Sequence, residues 1–261
     1  MIELSHIDAT FSKQVRELVD TTHIRTVFGA HPRILSQKLD LNALEESKRK
    51  DAVRKLEPMI DEATEMRAER FIVLSGTDPG PTKRKSAGEA LIQSLLELCS
   101  YAKESGIDIA LETFDRDVEK RCLIGPSQEA LCISEAVKEE FPSFGLTYDM
   151  AHGTLLAEDP RKSLHLLKEH LVHVHIGNCV RNRGCVAYGD QHPRFGVTGG
   201  ENDVAQLTRF LRVLREIDYI PGNPQEVSPV IGFELKPLPG EKPEAVIANG
   251  KRTWQKAWSL L

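Results

Sequence analysis

The chain has 261 residues, of which 34 are basic and 39 acidic, so its net charge is −5 and its sequence pI is 6.0. That length suits one large domain, and the acidic balance provides no general electrostatic attraction to nucleic acid. The sequence has no apolar run of about 18 residues and no charged-then-apolar leader. We therefore expect neither a membrane span nor a secretory segment.

The cysteine pattern indicates a reduced compartment. Five cysteines occur at scattered positions without a CxxC motif, and an odd number does not suit a disulfide framework. Cys179 and Cys185 share a loop region, which leaves open a bridge or a metal site there. We predict a cytoplasmic protein with free thiols.

Short apolar segments alternate with longer amphipathic segments along the whole chain. The apolar segments predict strands at 2–7, 24–30, 70–76, 108–114, 145–150, 172–178 and 230–235. The amphipathic segments predict helices near 10–21, 43–67, 84–104, 127–140, 160–170, 202–217 and 243–259.

Two of these helices carry specific signals. Segment 43–67 places Leu44, Leu56, Ile60 and Ala63 among many charges, which is typical of an amphipathic helix. The stretch GEND at 200–203 supplies Asn and Asp where a helix needs a capping side chain.

Repeated strand–helix alternation predicts a parallel sheet with helices outside it. No linker or composition shift divides the chain, so residues 1–261 read as one α/β domain, a TIM-type (β/α) barrel. We count seven strand–helix units where a complete barrel has eight.

Ligand-type side chains lie at the carboxyl ends of four successive predicted strands. They are Glu112, Asp149, His175 and Glu234, with His152 three residues after the aspartate. In a parallel barrel these ends meet on one face, which is where functional side chains lie. Each could be an ordinary exposed polar residue, but four in succession would bring carboxylates together that repel one another.

A divalent cation would remove that repulsion. Three carboxylates and one imidazole favour Mn²⁺, with Mg²⁺, Co²⁺ and Zn²⁺ left open. His173 lies one layer deeper in the same strand as His175, and we expect it to form a hydrogen bond within the protein rather than bind metal.

The order Glu, Asp-x-x-His, His, Asp-x-His, Glu resembles the xylose isomerase-like barrel superfamily across essentially the whole chain. Several positions are similar to ketose 3-epimerases, and more distantly to endonuclease IV. The resemblance implies that Glu112, Asp149, His175 and Glu234 bind the metal and that the two glutamates also transfer protons. Asp115 and Arg116 match only in part the Asn-Arg pair of the epimerases.

That role is chemically coherent. A metal that holds adjacent oxygens of an α-hydroxy ketone or aldehyde stabilises the enediolate formed when a neighbouring proton leaves. Proton transfer between carbons is isomerisation, whereas return of the proton to the opposite face of one carbon is epimerisation. The resemblance therefore implies a sugar or sugar-phosphate isomerase or epimerase of carbohydrate metabolism.

Other residues are expected to contact the sugar. The resemblance assigns substrate binding to Arg181 and His152, and the loop YGDQHPRFG adds Asp190, His192 and Arg194. His31 is a further candidate. In endonuclease IV relatives the matching Asp-x-His joins the earlier histidine around a further zinc, so a second ion at His152, Asp190 and His192 stays open.

Three other functions are compatible with parts of this pattern. A lyase or dehydratase acting on a keto-sugar or keto-glycoside would use the same metal site and the same first step. Repair of abasic DNA, as the resemblance to endonuclease IV implies it, uses an upstream histidine where this chain has Ser75. A non-catalytic binding subunit would not need all four ligands.

The missing first unit predicts an open edge between the strands at 2–7 and 230–235. Such an edge exposes unpaired backbone groups, which proteins cover or pair. We therefore expect a homo-oligomer, or a partner chain over this edge.

Overall fold

A computed structural model describes residues 1–221 and 230–261. Within these ranges the strands are β1 (Ile2–Leu4), β2 (Thr26–Gly29), β3 (Ala68–Leu74), β4 (Asp108–Glu112), β5 (Gly145–Asp149), β6 (Leu171–Gly177) and β7 (Ile231–Glu234). The helices are α1 (Ala9–Thr22), α2 (His31–Gln37), α3 (Glu46–Glu65), α4 (Arg84–Glu104), α5 (Ser127–Lys138), α6 (Met150–Leu155), α7 (Pro160–Leu167), α8 (Val204–Glu216) and α9 (Pro243–Trp258). The described residues thus contain the seven strands that the sequence predicts.

The described residues form two compact units. The first contains residues 1–112, 122–124 and 129–147. In it, β1 to β5 pair in chain order, each parallel to the next. Glu112 is the last paired residue of β4, opposite Leu74 on one side and Thr147 on the other. This register puts Glu112 at the carboxyl end of its strand.

Helices α3 and α4 supply much of the core of the first unit. Leu56 and Ile60 of α3 are buried, as the amphipathic pattern predicts. Helix α3 begins only at Glu46, however, so Leu44 precedes the helix and is about half exposed. The prediction that Leu44 belongs to the apolar face is therefore wrong at the helix start.

The second unit contains residues 113–121, 125–128 and the described part of 148–261. Strand β7 pairs with β6 in parallel, with Gly232 opposite His175 and Glu234 opposite Gly177. Helix α8 begins at Val204, and Asp203 caps it in a capping box with Gln206, as the GEND stretch predicts.

Two short helices, α2 and α6, were not predicted. Each follows directly on a strand end, α2 from His31 and α6 from Met150. At six or seven residues each is too short to show a helical period. Asp149 caps α6 with its side chain, whereas α2 has no side-chain cap at its start. Their first turns matter because they carry His31 and His152.

All five cysteines are free thiols, and three of them are buried. The disulfide left open between Cys179 and Cys185 is therefore not formed. None of the helices in the described ranges has the length and apolar character needed to cross a bilayer.

Candidate metal centre

Asp149 ends β5 and begins α6. Its side chain caps the helix by accepting hydrogen bonds from the backbone N–H groups of Ala151 and His152. One oxygen, Oδ1, accepts both bonds, so Oδ2 is left to point elsewhere. Oδ2 is buried and has no hydrogen-bond partner among the described residues. A buried carboxylate oxygen without a donor is costly, which makes it a candidate ligand for a cation.

Three residues of the second unit form a carboxylate-rich cluster, namely Asp149, His175 and Glu234. Each offers a ligand atom, and these atoms lie within 4.8 Å of one another. His175 Nδ1 lies 3.0 Å from Glu234 Oε2. Asp149 is fully buried, whereas the side chain of Glu234 is 37% exposed. Two carboxylates thus face one imidazole, with access from one side.

The electrostatics of this cluster favour an added positive charge. Burial raises the pKa of Asp149, and the carboxylate of Glu234 raises it further, although the imidazoles of His152 and His192 oppose that rise. The donor set of two carboxylates and an imidazole fits a hard or borderline divalent ion.

His173 lies directly behind His175 of the carboxylate-rich cluster. Its Nε2 atom is 3.0 Å from His175 Nε2, and both residues are buried. At this distance one nitrogen donates and the other accepts. The expectation that His173 forms a hydrogen bond inside the protein agrees with this contact.

Gly177 is required for the cluster to close. A Cβ atom at this position would lie 2.7 Å from the backbone oxygen of Glu234 and 2.9 Å from His192 Nδ1. Any other residue would push β7 or the loop that carries His192 away from β6.

A second group, the histidine-rich cluster, consists of His152, Asp190 and His192. Asp190 Oδ1 lies 3.0 Å from His152 Nε2 and 2.8 Å from His192 Nε2. All three residues are buried, and their ligand atoms lie within 4.8 Å of one another. His152 is held on its other side, where Nδ1 lies 2.8 Å from the backbone oxygen of Thr113.

Charge is balanced within the histidine-rich cluster. Burial raises the pKa of Asp190, but the imidazoles of His152 and His192 lower it well below its usual range. Burial lowers the pKa of His192, but the carboxylates of Glu234 and Asp190 raise it to about 9. His192 Nε2 also lies 3.5 Å from Glu234 Oε1, so it connects the two clusters.

Glu112 and His31 meet in the first unit. Glu112 is 1% exposed, and its Oε2 atom lies 3.0 Å from His31 Nε2. His31 is the first residue of α2, directly after β2. The sequence indicates His31 only as a candidate for substrate contact, whereas the structure brings it to Glu112, which is expected to be both ligand and proton carrier.

The two predicted substrate arginines lie in different surroundings. Arg194 Nε donates to Glu241 Oε1 at 2.8 Å, so its side chain is engaged by that carboxylate. Arg181 is exposed and lines a cavity of about 670 Å³ with Glu201 and Arg209. Among the described residues, none from the carboxylate-rich or histidine-rich cluster lines that cavity.

Sequence reasoning missed Glu119 and Lys120. They lie in the loop after β4, where the buried Asp115 carboxylate accepts backbone N–H bonds from Val118, Glu119 and Lys120. Glu119 Oε2 in turn accepts the backbone N–H of Asp190 at 2.7 Å. About 70 residues separate these partners, so no local pattern could have indicated the contact.

The sequence model of the xylose isomerase-like TIM barrel family matches residues 3–237. The chain belongs to this family. The predicted α/β barrel class and the resemblance to this family are thereby confirmed. No match was found among curated protein sequences.

Solved structures agree at the level of the fold. A D-tagatose 3-epimerase-like protein matches with 20% identity and a TM-score of 0.73, covering 97% of this chain and 86% of its own. The IolI protein with a bound zinc atom matches with 17% identity and a TM-score of 0.74, covering 98% and 87%. An AP endonuclease of family 2 from Brucella melitensis matches with 16% identity and a TM-score of 0.68, covering 94% and 85%.

Proposed function

We propose that this protein is a metal-dependent isomerase or epimerase of sugars or sugar phosphates. The observation that carries the proposal is the carboxylate-rich cluster, in which the buried Oδ2 of Asp149 has no donor among the described residues while a second carboxylate lies nearby. Such a cluster is stable only when a cation or a proton compensates it. The names of the D-tagatose 3-epimerase-like protein and the zinc-bound IolI protein lend support to both sugar chemistry and a metal.

The proposed ligands are Asp149, His175 and Glu234, completed by Glu112. Glu112 belongs to the first unit, and its inclusion rests on the order of ligand-type residues in the sequence and on the family. Mn²⁺ is our first choice of ion because the set is rich in oxygen, with Mg²⁺, Co²⁺ and Zn²⁺ as alternatives.

When bound, the ion would polarise adjacent oxygens of the substrate and so acidify the neighbouring C–H bond. Glu234 and Glu112 are the proposed acid–base pair, one removing the proton and the other returning a proton. The partial exposure of Glu234 gives it access to a substrate. His192 Nε2, 3.5 Å from Glu234 Oε1, is placed to orient that carboxylate, and His31 holds Glu112 in the same way.

His152, Asp190 and His192 are proposed to contact substrate hydroxyl groups beside the ion. Their buried nitrogen and oxygen atoms converge on a small polar space, which suits a polyhydroxylated ligand. Arg181 and Arg194 stay candidates for a phosphate or a distal hydroxyl.

Two observations bear on abasic-site repair. Ser75 is buried and its Oγ accepts the backbone N–H of Ile124 at 2.9 Å, so this side chain serves the local fold. The net charge of −5 gives no general attraction to DNA. Both favour a small-molecule substrate.

Proton exchange tests the proposal most directly. Protein loaded with Mn²⁺ is incubated with a panel of ketoses and ketose phosphates in D₂O, and the substrate hydrogens are followed by NMR. We expect exchange at one carbon next to the carbonyl of at least one sugar. A product that has lost a β-oxygen substituent would identify a lyase instead.

Glu234→Gln should slow this exchange by at least about 100-fold, because it removes a proton carrier. Added Mn²⁺ should not restore the rate. The matched control is Glu169→Gln, which alters an exposed carboxylate just before β6, at the opposite end of the strand from His175. Absence of exchange with every sugar, together with cleavage of abasic DNA, would overturn the proposal.

A further inference from the structure

The histidine-rich cluster has a fourth charged neighbour, Lys120. Its Nζ atom lies 3.5 Å from Asp190 Oδ2 and 3.4 Å from the backbone oxygen of Asp190. Asp190 therefore uses its two carboxylate oxygens differently. Oδ1 faces the two imidazoles, and Oδ2 faces the ammonium.

The lysine is held in this position by its own loop. The Asp115 carboxylate accepts the backbone N–H of Lys120 at 2.7 Å, and Glu119 Oε1 accepts from Lys120 Nζ at 2.8 Å. The Lys120 side chain is only 19% exposed. A long side chain that is largely removed from water and ion-paired on two sides interacts more strongly than a surface lysine does.

The position of Asp190 does not depend on the lysine alone. Glu119 accepts hydrogen bonds from the Asp190 backbone N–H at 2.7 Å and from Gln191 Nε2 at 2.8 Å. Gly189 has φ +94°, and a Cβ atom there would lie 2.3 Å from Glu119 Oε2, so the close approach requires glycine. Glu119 thus holds the loop, while Lys120 supplies charge.

By its ligand types this cluster fits a second cation. Two imidazole nitrogens and a carboxylate oxygen within 4.8 Å are a donor set that suits Zn²⁺. We propose that Lys120 supplies the positive charge that a second divalent ion would otherwise bring to His152, Asp190 and His192. The ammonium balances Asp190 and repels an incoming cation, so the cluster stays available for substrate hydroxyl groups. The role of this cluster in binding substrate rests on the proposed function. The positive charge that Lys120 brings to the cluster does not.

The test counts zinc ions in the full-length protein. Zn²⁺ binding is measured by equilibrium dialysis with metal analysis for the wild type, Lys120→Met and Lys120→Arg. Lys120→Met keeps the length of the side chain and removes its charge, whereas Lys120→Arg keeps the charge. Lys168→Met is the matched control, since Lys168 is half exposed and its Nζ atom lies 3.6 Å from Glu169 Oε1, an exposed carboxylate.

We expect one tightly bound zinc ion in the wild type, Lys120→Arg and Lys168→Met. Lys120→Met should bind a second ion with an affinity at least about tenfold higher than the wild type shows at that site, because a nearby positive charge has been removed. Adding His192→Ala to Lys120→Met should abolish the second ion.

An Asp149→Asn background separates this inference from the proposed function. Asparagine keeps an oxygen that can cap α6, so His152 stays in place, while the carboxylate-rich cluster loses a charged ligand. Zinc that binds in this background and is lost when His192→Ala is added reports the histidine-rich cluster. Failure of the wild type to bind any ion would contradict the proposed function. The effect of Lys120→Met on zinc affinity at the histidine-rich cluster would still be measurable in the Asp149→Asn background.

One result would overturn the inference, namely a second-site zinc affinity that is the same in the wild type and in Lys120→Met. Circular dichroism and thermal unfolding check that each variant is folded. If Lys120→Met does not fold, Lys120→Gln gives the same charge change with a polar side chain.

Discussion

The two clusters of the second unit contain the same kinds of side chain but differ in how far positive charge compensates their carboxylates. The carboxylate-rich cluster sets Asp149 and Glu234 against His175, and the imidazole of His192 lies 3.5 Å from Glu234. The histidine-rich cluster surrounds the single carboxylate of Asp190 with two imidazoles and an ammonium. The first lacks positive charge and the second supplies its own.

This difference bears on how a metal site can be recognised among clusters of ligand-type residues. Proximity of His, Asp and Glu is common to both clusters, so proximity alone does not identify a metal site. The deciding quantity is the buried charge that the protein leaves uncompensated. By this criterion we propose the ion at Asp149 and the substrate contacts at Asp190.

Removing one imidazole from each cluster is the strongest test of the difference between them. His175→Ala should weaken Mn²⁺ binding by more than about 100-fold, because a ligand is lost from the ion. His192→Ala should change the affinity by less than about tenfold. Isothermal titration calorimetry measures both, and equal losses in the two variants would show that the clusters form one metal site.

The charge of His192 predicts how the metal-free protein responds to pH. Its pKa is raised to about 9 in the folded state from an ordinary 6.5, so the protonated form is favoured by folding. The stabilisation is complete below pH 6.5 and is lost as the pH rises through about 9. We expect up to about 3 kcal/mol of stability to disappear over this window.

Urea unfolding of chelator-treated protein between pH 6 and 10 measures this loss. His192→Gln is the comparison, because it cannot gain the charge and should show a smaller decline over the same range. Identical pH profiles for the two proteins would contradict a protonated His192.

The hydrogen bond between His173 and His175 can be tested for its effect on metal binding by the carboxylate-rich cluster. When His173 Nε2 accepts the proton of His175 Nε2, Nδ1 of His175 carries the lone pair that binds an ion. His173→Phe removes the acceptor and should weaken Mn²⁺ binding about 10- to 100-fold, as loss of such a supporting contact does elsewhere. Competition with a fluorescent chelator measures this. His165→Phe, a half-exposed position on α7, should have no effect.

Gly189 tests the support of the histidine-rich cluster. Gly189→Ala places a Cβ against Glu119 at a positive φ, and should cost about 1 to 2 kcal/mol of stability. Gly80→Ala is a matched control, because Gly80 has φ +92° and no atom near a Cβ at that position. Both substitutions strain the backbone, so a larger loss of stability at Gly189 than at Gly80 measures the contact with Glu119. Equal losses of stability would contradict the importance of that contact.

The sequence alone was sufficient for the repeating strand–helix order and for the ligand-type residues at strand ends. The reason is that both patterns are local, since buried parallel strands are short apolar runs and their functional residues follow directly. Glu112, Asp149, His175 and Glu234 were predicted in this way. So was the cap at Asp203, because a capping side chain acts within one turn of its own helix.

Only the tertiary structure decided which of these residues have compensated charge. Lys120 meets Asp190 across about 70 residues, and Glu119 meets the same loop. The short helices α2 and α6 likewise owe their positions to packing and to the Asp149 cap rather than to a periodic pattern. Compensation is a property of distances in space, and a chain reveals such distances only after it has folded.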